Sequence, residues 1–259
     1  MAFTFLTAEW RNLIFANYAI DRAVLEPLVP YGTELDDFNG IYYGSLVGFY
    51  FQNVKMFGAA AVPLHREFEE FNLRFYVRRK TDTGWKRGVV FVKEIVPKAA
   101  ITLVAKTLYG EPYATHPMRH TWKTEGEVQH IEYEWKVGRD WNHIRVRADR
   151  AGFALIPGSE EEFITEHYWG YTARNGKPGA GQKPGATQDL GRGKTSEYEV
   201  VHPQWTIFPV QDYAVHCNVP TLYGPAFAPF FTGPPQSVFL ADGSAVAIKS
   251  GAVIREGRV

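Results

Sequence analysis

The chain has 259 residues, 45% of them apolar, with 28 Lys plus Arg against 28 Asp plus Glu. That length buries a large core without covalent staples, and the even charge leaves no overall field that would draw the chain to nucleic acid, nor is there a basic stripe interleaved with stacking aromatics. The single cysteine, Cys217, excludes an intramolecular disulfide, and no run approaches the roughly 18 uncharged apolar residues of a membrane span.

The N-terminal stretch MAFTFLTAEWRNLIF carries Glu9 and Arg11 where a signal peptide needs an unbroken apolar core, so a cytoplasmic location is expected. Glu9 to Ala19 reads as a strand that carries Arg11 and Asn12 into an apolar run. A short helix follows, with Asp21 as its N-cap, Val24, Leu25 and Leu28 on one face, and Pro27 and Pro30 ending it. After a turn-rich connection, Gly40 to Asn53 reads as a long strand in which Gly44 and Gly48 mark bends or a close approach of backbones.

The stretch from Pro63 to Gly110 organises the chain. Phe71, Leu73, Phe75 and Val77 alternate with Asn72, Arg74, Tyr76 and Arg78, the period of a half-buried strand. A polar turn leads to the β-branched run Val89 to Val96, which holds Lys93 and Glu94, and the two runs form a hairpin. At Pro97 the period becomes helical, with Ile101, Val104, Ala105 and Leu108 on one face and Gly110 as the stop, placing Lys98 at a helix N-terminus.

EPYATHPMRH reads as a loop, and from Thr121 an antiparallel meander turns at Glu125-Gly126 and continues through WNHIRVRADR. Ser159 to Tyr171 reads as a second helix, with a Ser N-cap and three glutamates in the first turn. Residues 174–195, rich in Gly, Pro and Lys, are expected to form a flexible surface insertion; their GAGQKPG lacks the strand before and the GK[ST] helix after that a phosphate loop requires. Strand patterns resume at Ser196, QDYAVHCNVP is a further extended segment, and TLYGPAFAPFFTGPP must lie against protein, its own barrel or a partner subunit. SVFLADGSAVAIKSGAVI is expected to close the chain as a hairpin about Asp242-Gly243. The abundant aromatics favour packed sheets over helical bundles, and the absence of a repeat or linker favours one domain over residues 1–259.

Lys98 is the sharpest chemical candidate. An ammonium at the positive end of a helix dipole, buried under a sheet, has its pKa lowered towards a nucleophilic amine; the plain alternative is a solvated lysine. Glu70, Asn72 and Arg74 share a strand face and can line a pocket together, with Glu70 and Glu94 as acid-base groups; the alternative is a salt-bridged surface or a buried pair that aligns the sheet. His202, beside Trp205, is a candidate for a pocket rim, and His167 for answering the second helix's C-terminal dipole; the plain alternative, favoured for each, is a satisfied structural histidine. His116 and His120 are split by Pro117, and no HExxH or CxxC pattern occurs, so no metal and no cofactor are expected. Ser45, Ser196 and Ser237 lack a GxSxG elbow.

The segments FLTAEWRNLIFANYAID, VLEPLVPYGTELD, SLVGFYF, HREFEEFNLRFYVRR, GVVFVKEIVPKAAI and HYWGYT resemble the YqjF-like family of bacterial proteins of unknown function. That family is in turn distantly similar to the acetoacetate-decarboxylase-like superfamily. The resemblance implies an α+β, mainly β fold: a large curved antiparallel β-barrel with a few peripheral helices around an internal pocket. It also implies a Schiff-base lysine at Lys98 and a carboxylate-binding arginine at Arg11. The superfamily's second lysine is replaced by Ala99, and no acid stands around Gly44-Ser45 or Met56-Phe57, where its pocket glutamates belong.

Two readings follow. In one, the chain is a decarboxylase-like lyase acting on a small oxo-acid, with Lys98 as nucleophile, Arg11 on the carboxylate, and Glu70 or Glu94 moving protons. In the other, a non-catalytic binding or structural barrel holds a small ligand, a carboxylate or oxo-acid, through Arg11, Asn72, Arg74 and His202, or these polar groups merely hold one another. The missing lysine and glutamates favour the second. Association with further copies of the chain stays open in both.

Overall fold

The computed structural model describes residues 3–56, 60–61, 66–98, 112–173 and 193–255. In chain order the strands are β1 (Thr4–Ala19), β2 (Glu34–Leu35), β3 (Tyr43–Met56), β4 (Ala60–Ala61), β5 (Phe68–Thr81), β6 (Gly84–Val96), β7 (Tyr113–Thr115), β8 (Met118–Glu125), β9 (Val128–Val137), β10 (Asp140–Asp149), β11 (Phe153–Ala154), β12 (Trp169–Ala173), β13 (Thr195–Val201), β14 (Thr206–Phe208), β15 (Val210–His216) and β16 (Ser237–Ile254). Short helices α1 (Arg22–Leu25), α2 (Glu160–Thr165) and α3 (Val219–Tyr223) sit between them.

The wall runs β1-β3-β5-β6-β12-β13-β16, and β16 pairs back along β1, so the sheet closes into a barrel. Its junctions are antiparallel except β6 with β12, which is parallel through Trp169↔Gly88 and Gly170↔Val89. A second sheet, ordered β15-β10-β9-β8, covers one side of the barrel. The two faces of the wall therefore bury two different cores. Leu13, Phe15, Val47, Phe49, Phe51, Tyr76 and Phe239 pack inside the barrel. Ile14, Leu46, Phe71, Leu73 and Phe75 pack outside it, against Ile131, Tyr133, Trp135 and Ile144 of the second sheet.

Phe71 stacks on Trp135 at 3.6 Å between ring centroids across this seam. Gly48 makes the contact possible at its centre, because a β-carbon there would lie 2.9 Å from Ile144 Cγ2 and 3.0 Å from Tyr133 Cδ2. His120 of β8 meets Glu69 of β5 at 2.7 Å, with Tyr50 and Trp122 around the imidazole. The lowered pKa of Glu69, which His120 sustains against the opposing effect of burial, marks the seam as partly desolvated.

Strict alternation would not give one consistent interior face, and bulges correct it. On β1 the inward set passes from Ala8 and Trp10 to Leu13 and Phe15, a change of parity taken up at Asn12, whose φ is 51°. On β3 it passes from Phe51 to Val54 at Asn53, φ 55°. On β6 the pairing shifts from Leu73↔Lys93 to Arg74↔Phe91, so that Phe91 and Glu94, three residues apart, both oppose inward residues of β5.

Several expected elements differ, and the stretch EPYATHPMRH, expected as a loop, supplies β7 and the start of β8, which pair with β6 and β9. SVFLADGSAVAIKSGAVI is one continuous strand, β16, that stays in register with β1 through Arg11↔Gly243. Gly243, φ +81°, serves as a bend in that strand, since two long complementary strands outcompete a local turn. The second helix stops at Glu166, and HYWGYT turns into β12, whose aromatic residues gain ladder partners on both sides. Asp21 precedes α1 but makes no side-chain cap. The helix expected over 97–110 and the insertion over 174–195 fall largely outside the described residues. The proline-rich segment packs on its own chain: Phe227 is buried, and Phe231 meets Tyr18 at 4.4 Å between ring centroids.

A β-carbon at Gly243 would lie 2.1 Å from the Trp10 carbonyl oxygen, whereas one at Gly126, also at positive φ, would meet nothing. Gly243→Ala should therefore destabilise the fold by about 1–3 kcal/mol more than Gly126→Ala, as read from urea unfolding midpoints.

Candidate functional site

The barrel encloses a chamber of about 70 Å³ walled by inward residues of β1, β3, β5, β6, β12 and β13 and by the segment after α2. At about 10–15 Å³ of such space per water, it admits roughly five small groups, the size of a short organic acid.

Its polar wall comes from two adjacent strands. Glu70, Asn72 and Arg74 alternate inward on β5, and Asn72 opposes Glu94 of β6. All four are buried. Asn72 Nδ2 donates to Glu70 Oε1 at 3.1 Å, and the Tyr113 hydroxyl donates to Glu70 Oε2 at 3.2 Å. Burial first, and then the charges of Glu70 and Glu94, push the Tyr113 phenol far above its ordinary range, which keeps it a neutral donor.

Arg74 lies along the chamber from these carboxylates. Its Nη2 donates to the carbonyl of Ile164 in α2 at 3.1 Å, and the guanidinium sits 5.1 Å from the Phe15 ring and 5.6 Å from the Tyr76 ring. Its Nε is buried without a hydrogen-bond partner, and among the described residues Arg74 makes no ion pair. Beside it, His167 directs Nε2 to Asp36 Oδ2 at 3.3 Å. Asp36 in turn receives Arg87 Nε at 2.6 Å and lies 3.6 Å from Arg78 Nη1.

Much of the remaining wall is aromatic. Trp10, Phe49, Phe51 and Trp205 line it, and His202 stacks on Trp205 at 4.3 Å between centroids while its Nδ1 lies 2.9 Å from the Pro203 carbonyl. Burial lowers the His202 pKa.

Of the residues singled out in the sequence, the fold brings Glu70, Glu94, Asn72, Arg74 and His202 to one chamber. It leaves two elsewhere. Lys98, just past β6 and half-buried, donates from Nζ to the Glu67 carbonyl at 2.8 Å and is not part of the chamber wall. Arg11 sits at the β1 bulge and pairs with Glu9, Nε to Oε2 at 3.1 Å, with the guanidinium partly in water. His65 and Ala99 fall outside the described residues. Among the described residues no three His, Cys, Asp or Glu side chains come together as a metal would need. No helix of the described residues is long and apolar enough to cross a membrane.

Sequence reasoning missed Asp36, Tyr113 and the inward role of His167. Tyr113 and Asp36 stand in segments without periodicity, and their positions follow only from the pairing of β7 with β6 and the hydrogen bond of Asp36 N to Tyr76 O. His167 looked like a helix-end residue because the helix appeared longer than it is.

Residues 7–245 match the model of the DUF2071 family, described as an uncharacterized conserved protein. The uncharacterized protein YqjF of Bacillus subtilis (strain 168) is 30% identical over 171 residues, covering 65% of this chain and 67% of its own. Among solved structures, the enduracididine biosynthesis enzyme MppR complexed with pyruvate aligns over 98% of this chain and 91% of its own, with a TM-score of 0.65 at 13% identity. Acetoacetate decarboxylase from Legionella pneumophila aligns over 98% and 88%, with a TM-score of 0.59 at 12% identity. An acetoacetate decarboxylase-like enzyme from Sphingomonas wittichii RW1 aligns over 99% and 95%, with a TM-score of 0.62 at 13% identity. At these identities the likeness is one of fold.

The buried imidazole makes stability depend on pH. Burial, outweighing the hydrogen bond to Asp36, lowers the His167 pKa from 6.5 to about 4. Between those values the unfolded chain takes up a proton that the folded chain refuses, so this contribution is full above pH 6.5 and declines as pH falls towards 4. His202 acts in the same direction, and the lowered Asp36 carboxyl adds a loss only at more acid pH. Unfolding free energy should fall between pH 7 and pH 5, and His167→Gln should flatten that fall by up to about 1.4 kcal/mol per pH unit, as followed by urea titration at each pH.

Proposed function

Starting from a chain that belongs to the DUF2071 family of uncharacterized conserved proteins, we propose that its barrel is a receptor for a small carboxylic acid, of the size of a short oxo-acid, held without a covalent bond. One observation carries this reading. Arg74 is a permanently charged group inside the barrel, 8% exposed, with Nε unpartnered and no ion pair among the described residues. A buried cation left in that state is costly, and an anion entering the chamber relieves the cost. Carboxylate geometry matches the guanidinium fork, so a small acid is the natural occupant.

The rest of the chamber supports the same assignment. The guanidinium lies over the Phe15 and Tyr76 rings, and the Ile164 carbonyl takes one of its donors, which restrains the group before a ligand arrives. Trp10, Phe49 and Trp205 supply an apolar wall for the carbon chain of the acid. The pyruvate complex of MppR, which shares the fold, is in keeping with an acid of this size.

A catalytic role remains the competing reading for the same fold: a Schiff base at Lys98, with Glu70 or Glu94 moving protons and Arg11 on the carboxylate. It requires Lys98 to leave the Glu67 carbonyl and enter the chamber.

Isothermal titration with pyruvate and with propionate should reveal binding that Arg74→Met weakens about ten- to a hundredfold, the usual effect of removing a charge-assisted hydrogen bond. Arg74→Lys, which keeps the charge and loses the fork, should fall between, and far-UV circular dichroism checks that both variants fold. Equal affinities in wild type and Arg74→Met would overturn the assignment. Borohydride added to the pyruvate complex should leave the protein mass unchanged; an adduct on Lys98 would instead establish the covalent route.

A further inference from the structure

The Asp36–His167 pair has a chemical consequence for what the chamber accepts. The His167 side chain is 1% exposed, and so is that of Asp36. A carboxylate only accepts, and the Asp36 pKa is lowered, against burial, by its hydrogen bonds with His167 and Arg87, so the proton of a neutral imidazole sits on Nε2, facing Asp36. Nδ1 is then a bare lone pair. It is buried and has no hydrogen-bond partner among the described residues.

The ring does not have freedom to turn away. Phe163 lies at 5.0 Å and Tyr76 at 4.8 Å between centroids, and the Asp36 contact fixes the third side. The charged groups that act on the imidazole are Asp36, Arg87 and Arg74; both arginines oppose a second proton, as does burial, so the ring stays neutral near pH 7. Arg74, with its buried and unpartnered Nε, and His167, with its buried and unpartnered Nδ1, both line the same chamber. Asn72 Oδ1 is also unpartnered, but it stands on the carboxylate side, where its amide nitrogen is committed to Glu70.

We infer that the ligand is a 2-hydroxy acid, its carboxylate on Arg74 and its hydroxyl donating to His167 Nδ1; the inference rests on the carboxylate assignment made above. A 2-oxo acid would set its carbonyl oxygen against the imidazole lone pair, and a simple alkanoic acid would leave Nδ1 desolvated with no partner. Asp36 is a positioning residue, acting through the tautomer it imposes on His167.

The test is a comparison of three acids of similar size on the full chain: lactate, pyruvate and propionate, measured by titration calorimetry at pH 7. Wild type should bind lactate about tenfold more tightly than the other two, the discrimination expected when a buried acceptor is satisfied rather than left bare. His167→Gln keeps an amide donor for Asp36 and an acceptor oxygen for the ligand, so the lactate preference should persist. His167→Leu offers no acceptor, and the lactate-to-propionate ratio should drop to about one while propionate still binds, a change of ratio that general damage to the fold would not produce. Three acids of equal affinity in wild type, or a preference that survives in His167→Leu, would overturn the inference and leave the carboxylate site standing. Failure of all three acids to bind would remove both. The wild-type series decides against the inference even where the leucine variant does not fold.

Discussion

The pairing of the first long strand with the last one is the constraint on which everything else depends. β1 and β16 lie in register from Thr7↔Ala247 to Asn17↔Ser237, and this seam turns an open sheet into a closed wall. Closure removes the sheet's free edges at that junction and separates an inside from an outside. The inside is shielded from water, so every polar side chain that points there must find a partner or be held at a cost. Glu70 with Asn72 and Tyr113, and Asp36 with Arg87 and His167, are such partnerships. Arg74, near two aromatic rings and bonded to one carbonyl, is the cation among those whose needs are incompletely met, alongside Asn72 Oδ1 and His167 Nδ1.

The outside of the wall carries a different load. Phe71, Leu73 and Phe75 are apolar because the second sheet lies on them, and the glycine at position 48 lets Ile144 and Tyr133 approach the backbone closely. β5 is thus buried on both faces, one dry and one polar. That arrangement fixes the register of the polar face: slipping β5 by one residue would drive Asn72 and Arg74 into the seam and Phe71 and Leu73 into the chamber. The packing of the outer core is what holds the inner polar groups in place, linking stability to the site.

Fold and candidate chemistry do not coincide residue for residue with the superfamily pattern that the chain resembles. Lys98 and Arg11, the positions that carry the resemblance to Schiff-base chemistry, lie at a strand end and at a bulge, each engaged with a neighbour outside the chamber. The interior is instead organised by an arginine on β5 and a histidine beyond α2. A shared barrel with different inward residues is the ordinary way one fold comes to host different ligands.

The sequence by itself determined the strand character of most of the chain, the alternation on β5, the hairpin to β6, the meander from β8 to β10, and the shared face of Glu70, Asn72 and Arg74, because a period of two is a local property that neighbours in sequence reveal. Which face pointed inward was beyond it, since an apolar face can be an outer seam as readily as a core. Only the tertiary structure decided that Glu94 joins the polar face, through a one-residue bulge opposite Leu73 and Arg74, and that β16 continues through the bend at Gly243. It alone brought Asp36 to His167 across 131 positions of chain. Contacts of that separation are set by strand pairing and closure, which depend on the whole set of long-range partners and leave no periodic trace in the segments they join.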